Sequence, residues 1–197
     1  MKPKINSIAL FGTSADPPTL GHKALLNELI KIFPKVITWA SDNPDKNHHI
    51  SLVKRTQLLR ILVKKISHPN LELVQELSSP RTIHTLKKAL QLWPKASLSF
   101  VIGSDLATQV PKWLKAKSIL NQASIAIAMR DGWPISDEQI EEIKKLGGKI
   151  DVLPLDIPES SSSRFRESPQ EALLPQELIP LLLKENLYGL GDSNKRS

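Results

Sequence analysis

Apolar residues follow two rhythms along this chain. Short, nearly unbroken apolar runs at 5–11, 35–40, 71–77, 97–102 and 124–129 predict buried strands, and a weaker run at 149–155 predicts a sixth. Between them, apolar positions recur every three or four residues, the spacing of one helix face. The stripe is Leu25, Leu26, Leu29, Ile30 and Phe33 in a helix over 19–33, and Leu52, Leu59, Leu62, Val63 and Ile66 in one over 52–66. Ile83, Leu86, Leu90 and Trp93 mark a third over 81–93. Pro34 ends the first of these, and Ser51 caps the second. A further amphipathic run covers 113–122. Ser136 and Gln139 fit a capping box for a helix to Leu146, which Gly147 and Gly148 stop. A short helix should follow the serines at 160–163. A last one spans 174–187, with Pro175 in its first turn and Pro180 deeper, where a kink or a late start is expected.

Strands alternating with helices imply an α/β fold: a doubly wound, Rossmann-like parallel sheet of order 3-2-1-4-5, completed by a C-terminal helical segment. Residues 1–190 read as a single domain, and the polar tail 191–197 as disordered. In such a sheet the ligand lies beyond the carboxyl ends of the strands, where the strand order reverses. Here that point falls between strands one and four. It brings 12–22 and 103–105 to opposite lips of one crevice.

Composition narrows the chemistry. The 197 residues suffice for a full core, and 40% hydrophobic with 24% charged residues is the balance of a soluble globular protein. No run reaches membrane-spanning length, and no signal-peptide pattern opens the chain, so a cytoplasmic protein without a membrane partner is expected. The absence of cysteine excludes disulfides, thiolate metal sites and a cysteine nucleophile. The net charge of +7 favours anionic ligands. Because it is dispersed rather than massed, a nucleotide fits it better than a nucleic acid, and none of the latter is expected.

The candidate chemistry starts at 8–22, I-A-L-F-G-T-S-A-D-P-P-T-L-G-H. A strand, a tight loop and a helix start make an anion site, since the first backbone N–H groups of a helix lack partners. Thr19 and His22 are three apart and share the first helical turn, beside those N–H groups. Gly12, without a side chain, would let backbone approach a phosphate. Lys46, in the polar loop 41–49, reads either as a phosphate-binding point charge or as a solvated lysine. The adjacent His48 and His49 have no acidic or thiol cluster around them, and no metal site is expected. Thr82 opens a helix as its cap, and the N–H groups there would suit a carboxylate. Asp105, after Gly103, stands where an acid accepts from ribose hydroxyls. Trp113 suits core packing or stacking on an aromatic or cationic ring. Ser161, Ser162 and Ser163 with Arg164 and Arg166 read as a linker or as a polyphosphate clamp.

The stretch G-T-S-A-D-P-P-T-L-G-H resembles the (His or Thr)-x-Gly-His signature of the nucleotidylyltransferase superfamily. Four further segments are similar to one branch of it, the bacterial nicotinate mononucleotide adenylyltransferases: R-T-I-H-T-L, G-S-D followed by Trp113, S-S-S-R-F-R, and L-P-Q-E-L with N-L-Y near the end. The resemblance implies transfer of AMP from ATP to nicotinate mononucleotide, giving the deamido-dinucleotide and pyrophosphate in NAD biosynthesis, with Mg²⁺ accompanying ATP. It implies that Gly12, Thr13, Ser14, Gly21, Gly103, Asp105 and Ser161–Ser163 surround ATP. His22, Thr19 and Arg166 would then be catalytic, and Lys46, Thr82 and Trp113 would bind the mononucleotide. Thr19 replaces the first histidine of the signature, as in the phosphopantetheine adenylyltransferases. Another acceptor, phosphopantetheine or nicotinamide mononucleotide, is therefore the rival activity, and a non-catalytic nucleotide sensor is the rival class. Homo-oligomerisation is left open.

Overall fold

The computed structural model describes residues 7–130, 132–155, 157 and 161–190. Six parallel strands form one sheet: β1 (Ser7–Thr13), β2 (Lys35–Ala40), β3 (Leu71–Leu73), β4 (Ser97–Gly103), β5 (Ala123–Ala128) and β6 (Ile150–Leu153). Their order is β3-β2-β1-β4-β5-β6, so the expected order holds and the sixth strand extends it. The helices are α1 (Leu20–Ile32), α2 (Leu52–Ile66), α3 (Thr82–Leu92), α4 (Ala116–Leu120), α5 (Asp137–Lys145), α6 (Ser162–Glu167) and α7 (Ile179–Lys184). No helix among the described residues is long and apolar enough to cross a membrane.

The period-two alternation of each strand sorts its side chains onto two faces. Ile8 and Leu10 of β1 join Ile37, Phe100, Ile102, Ile125 and Ile127 on one face. Ile83 and Leu86 of α3, Ile119 of α4 and Ile143 of α5 cover it. Ala9 and Phe11 join Val36, Val101 and Ala126 on the other, under Leu25, Leu26 and Leu29 of α1 and Leu59 and Leu62 of α2. Both faces are thus closed by helices, as a parallel sheet requires. A third cluster forms on the far side of α2, where Leu58 meets Phe165, Leu174, Leu178, Leu182 and Leu190. The C-terminal segment is a separate layer, seated on α2 rather than on the sheet.

Several boundaries differ from the sequence expectation, each for a local reason. The third strand stops at Leu73 instead of continuing to Leu77. Gln75 turns back, accepting the Ala40 N–H at 3.0 Å and donating to the Ala40 carbonyl at 2.8 Å, so its side-chain amide takes the place of a neighbouring strand. The run 113–122 is helical only over Ala116–Leu120, because Lys115 adopts the left-handed region (φ 59°) and separates it from a 3₁₀ stretch at Ser104–Lys112. The C-terminal helix breaks into short pieces, with a 3₁₀ turn at Gln176–Leu178 before α7. Pro180 lies in the first turn of α7, where its missing N–H costs nothing, so the late start is what the structure adopts. The tail 191–197 lies outside the described residues.

Candidate active site

β1 and β4 are the strands between which the order reverses, and in sheets of this kind the ligand lies beyond the carboxyl ends of the strands at that point. On the first lip, Thr19 caps α1 and His22 occupies the third helical position. The His22 Nδ1 accepts the Thr19 backbone N–H at 3.1 Å, the reciprocal half of a capping box in which histidine stands where Glu or Gln is usual. The Thr19 hydroxyl meets the same Nδ1 at 2.9 Å. An Nδ1 committed as acceptor fixes the neutral tautomer with its proton on Nε2. Nε2 then points at the Thr13 Oγ1, 2.9 Å away. Burial of the ring, then the positive charges of Arg130 and Lys46, lower the His22 pKa to about 4. His22 is therefore a neutral imidazole at neutral pH, with one N–H donor of fixed direction.

Thr19 is fully buried, so its hydroxyl faces the histidine and not the crevice. Gly12 has a different reason for being glycine than phosphate approach. A Cβ there would lie 2.6–2.8 Å from the indole of Trp39, so the position is kept bare by core packing. Gly21 is buried in the first turn of α1. The Ser14 carbonyl accepts from Arg55 Nη1 at 2.7 Å, and the same nitrogen donates to the Ser41 carbonyl at 2.8 Å. Arg55, buried in α2, thereby ties the loop after β1 to the loop after β2.

The opposite lip carries Gly103 and Asp105. Asp105 Oδ2 pairs with Arg130 Nη1 at 2.8 Å, while its Oδ1 is buried and has no hydrogen-bond partner among the described residues. A Cβ on Gly103 would collide with that Oδ1 at 2.3 Å and with Arg130 at 2.8 Å, so this glycine makes room for the pair. Arg130, two residues after β5, pairs with Asp105, and its positive charge is one of those that lower the His22 pKa. Lys46 is exposed, and its charge also reaches His22.

Thr82 is not the cap of α3. Arg81 is, and its side chain makes no capping hydrogen bond. Arg81 itself is half exposed and lies 3.5 Å from Asp45 of the loop 41–49. Trp113 sets its ring edge-on to Phe100, centroids 6.4 Å apart, and is only partly buried, so it serves the core without being lost in it. The serines are engaged locally. Ser161 caps α6, accepting the Arg164 N–H, Ser162 donates to the Pro17 carbonyl at 2.8 Å, and Ser163 accepts from Arg166 Nη2 at 3.3 Å. These bonds seat α6 against the loop after β1, bringing Arg166 to that lip.

Three residues escaped the sequence reading: Asp16, Arg55 and Arg130. Asp16 is 1% exposed. Its Oδ2 accepts the His49 N–H at 2.8 Å, its Oδ1 accepts the Tyr188 hydroxyl at 2.6 Å, and its carbonyl accepts Arg166 Nη1 at 2.7 Å. His48 Nδ1 lies 3.6 Å from Oδ2; burial and the nearby Arg55 lower the His48 pKa. Only Arg130 left a usable signal, a basic residue at the carboxyl end of a predicted strand. Among the described residues, no group of three or more His, Asp or Glu side chains is arranged to hold a metal ion.

The chain resembles known proteins over nearly its whole length. The cytidylyltransferase-like family model matches residues 10–168. A Synechocystis protein named "Probable nicotinate-nucleotide adenylyltransferase" is 32% identical over 196 residues, covering 92% of this chain and 98% of its own. The nicotinate-nucleotide adenylyltransferase of Bacillus subtilis is 26% identical, covering 93% and 99%. In fold, the chain is similar to a Plasmodium falciparum nicotinic acid mononucleotide adenylyltransferase complexed with NaAD. The TM-score is 0.78 at 20% identity, with 94% of this chain and 98% of that one covered.

Proposed function

Because the chain belongs to the cytidylyltransferase-like family, we propose that it is the cytoplasmic enzyme that transfers AMP from ATP to nicotinate mononucleotide. The observation that carries the chemistry is the locked imidazole: Nδ1 is held by the Thr19 N–H, and Nε2–H is aimed from the start of α1. The names of the full-length relatives supply the acceptor.

The nucleophile is the mononucleotide 5′-phosphate, already anionic, so no general base is required. One of its oxygens bonds to the α-phosphorus of ATP as the bond from that phosphorus to the β-bridging oxygen breaks, and pyrophosphate leaves with the electron pair. Catalysis reduces to alignment and to stabilising charge that grows on the non-bridging α-oxygens. His22 Nε2–H, which donates to the Thr13 hydroxyl, exchanges that acceptor for an α-oxygen. A neutral donor of fixed direction does this without reorganisation, and Thr19 acts as the residue that positions it. Arg166 holds the leaving pyrophosphate, while Arg130 and Lys46 add positive charge around it. Asp105 Oδ1 accepts from a ribose hydroxyl of ATP, satisfying a buried acceptor that is otherwise costly to leave alone. A Mg²⁺ accompanying ATP would neutralise part of the charge on the leaving pyrophosphate, beside Arg166.

Ring recognition falls to Trp113 and the start of α3, whose first N–H groups suit the carboxylate of nicotinate. Pyrophosphate release measured with nicotinate mononucleotide, nicotinamide mononucleotide and phosphopantetheine as acceptors tests the reading. The first should be used best. Preference for phosphopantetheine, or release with none of the three, would refute it.

A further inference from the structure

The N-L-Y motif near the end of the chain has no place in the mechanism above, yet the backbone is bent sharply to deliver it. Asn186 (φ 45°), Tyr188 (φ 60°) and Gly189 (φ 67°) all occupy the left-handed region. For a tyrosine that conformation is unfavourable, and it persists only where surrounding contacts over-determine it. The contacts are specific. The Tyr188 hydroxyl donates to Asp16 Oδ1 at 2.6 Å, across 172 residues of sequence. Its ring lies edge-on to the buried Phe165 (5.7 Å) and tilted against His49 (6.2 Å). Burial and the Asp16 carboxylate push the phenol pKa upward, so the hydroxyl stays a donor.

Asp16 passes the constraint on. Its carbonyl takes Arg166 Nη1 at 2.7 Å, and its Oδ2 lies 4.0 Å from the same nitrogen. Phe165, against which Tyr188 packs, immediately precedes Arg166 on α6. Tyr188 therefore bears on Arg166 from two sides, through the carboxylate and through the helix. The segment that carries it is fastened elsewhere, by Glu177 to Lys23 of α1 at 2.9 Å and by Glu185 to Lys54 of α2.

From this geometry we infer that Tyr188 is a positioning residue for the reaction: seated by the C-terminal segment, its hydroxyl fixes Asp16 and so aims the Arg166 guanidinium. The inference rests on the proposed role of Arg166 at the leaving pyrophosphate. Displacement of a charged group by about 1 Å costs up to roughly a hundredfold in rate.

The test is Tyr188→Phe in the full chain, which removes the hydroxyl and keeps the ring against Phe165. At saturating substrates, kcat should fall by roughly ten- to a hundredfold. KM for the mononucleotide should stay near wild type, and the lost hydrogen bond to buried Asp16 should lower the melting temperature by less than Asp16→Ala does, leaving the protein folded at the assay temperature. In an Arg166→Ala background the same substitution should cost less than about twofold, because the group it aims is gone. An unchanged kcat, a loss fully retained in the Arg166→Ala background, or a loss accounted for by unfolding at the assay temperature would overturn the inference. Wild-type protein inactive with all three acceptors would instead defeat the functional reading. The inference would then be read from ATP affinity by calorimetry, where Tyr188→Phe and Arg166→Ala should each weaken binding without adding, and additive weakening would overturn it.

Discussion

Asp16, in the loop after β1, and His22, six positions on in the first turn of α1, are held in opposite ways. Among the described residues, the hydrogen-bond partners of the His22 ring lie within nine residues, on Thr13 and Thr19. The partners of Asp16 come from 33, 150 and 172 residues away. The histidine is therefore set by the local geometry of a helix start, and the aspartate by the docking of distant segments. A locally held group can be removed with damage confined to chemistry. A group held from afar also carries the assembly of the elements that meet on it.

The largest effect expected of breaking the local arrangement is on rate. His22→Ala should lower kcat by about 10²–10³, the usual loss for one oxyanion donor, with the melting temperature nearly unchanged. A variant within a few-fold of wild type would remove His22 from the mechanism. Asp16→Ala should behave differently. Removing one member of a buried charge network costs about 3–5 kcal/mol, so the melting temperature should drop and the C-terminal segment should become susceptible to protease. A stable, protease-resistant Asp16→Ala protein would end the contrast between the two residues.

A smaller effect concerns the acceptor. A carboxylate gains from the start of α3, whereas an amide NH₂ meets donors there, a mismatch of about 1–3 kcal/mol. kcat/KM should therefore favour nicotinate over nicotinamide mononucleotide by at least about tenfold, even though Asp45 partly offsets the charge of Arg81. Parity in side-by-side kinetics would show that this helix end does not read the ring substituent. Smaller again is Thr19→Val. It deletes the hydroxyl but keeps the backbone N–H that fixes the tautomer, and kcat should fall only a few-fold. A loss as large as that of His22→Ala would mean that the hydroxyl itself reaches substrate.

The mildest test is titration. The folded-state pKa of His22, about 4, lies below its ordinary value of 6.5. Between the two, the unfolded chain binds a proton that the folded chain refuses, so this group makes stability rise with pH through that window and stay level above it. Imidazole NMR should show His22 unprotonated at pH 5. A midpoint near 6.5 would contradict both the burial and the committed Nδ1.

The same contrast explains what could be read from the sequence. Strand runs, helix stripes and the Thr19–His22 spacing are local patterns, and the sheet order follows from them. Gly12 was legible as a position that must be glycine but not for its reason, since Trp39 arrives from the neighbouring strand. Gln75 ends β3 through a bond to β2, which no periodicity records. Asp16 was hidden because an aspartate before two prolines reads as an ordinary turn, and its three partners are defined only once the chain has folded.

The central claim, adenylyl transfer to nicotinate mononucleotide, is tested most directly by following label from ATP. With label in the α-phosphate, radioactivity should move into the deamido-dinucleotide. With label in the γ-phosphate it should appear only in pyrophosphate. Appearance of the γ-label in the acceptor, release of α-label as free AMP, or no transfer from a nucleotide that nevertheless binds would contradict it.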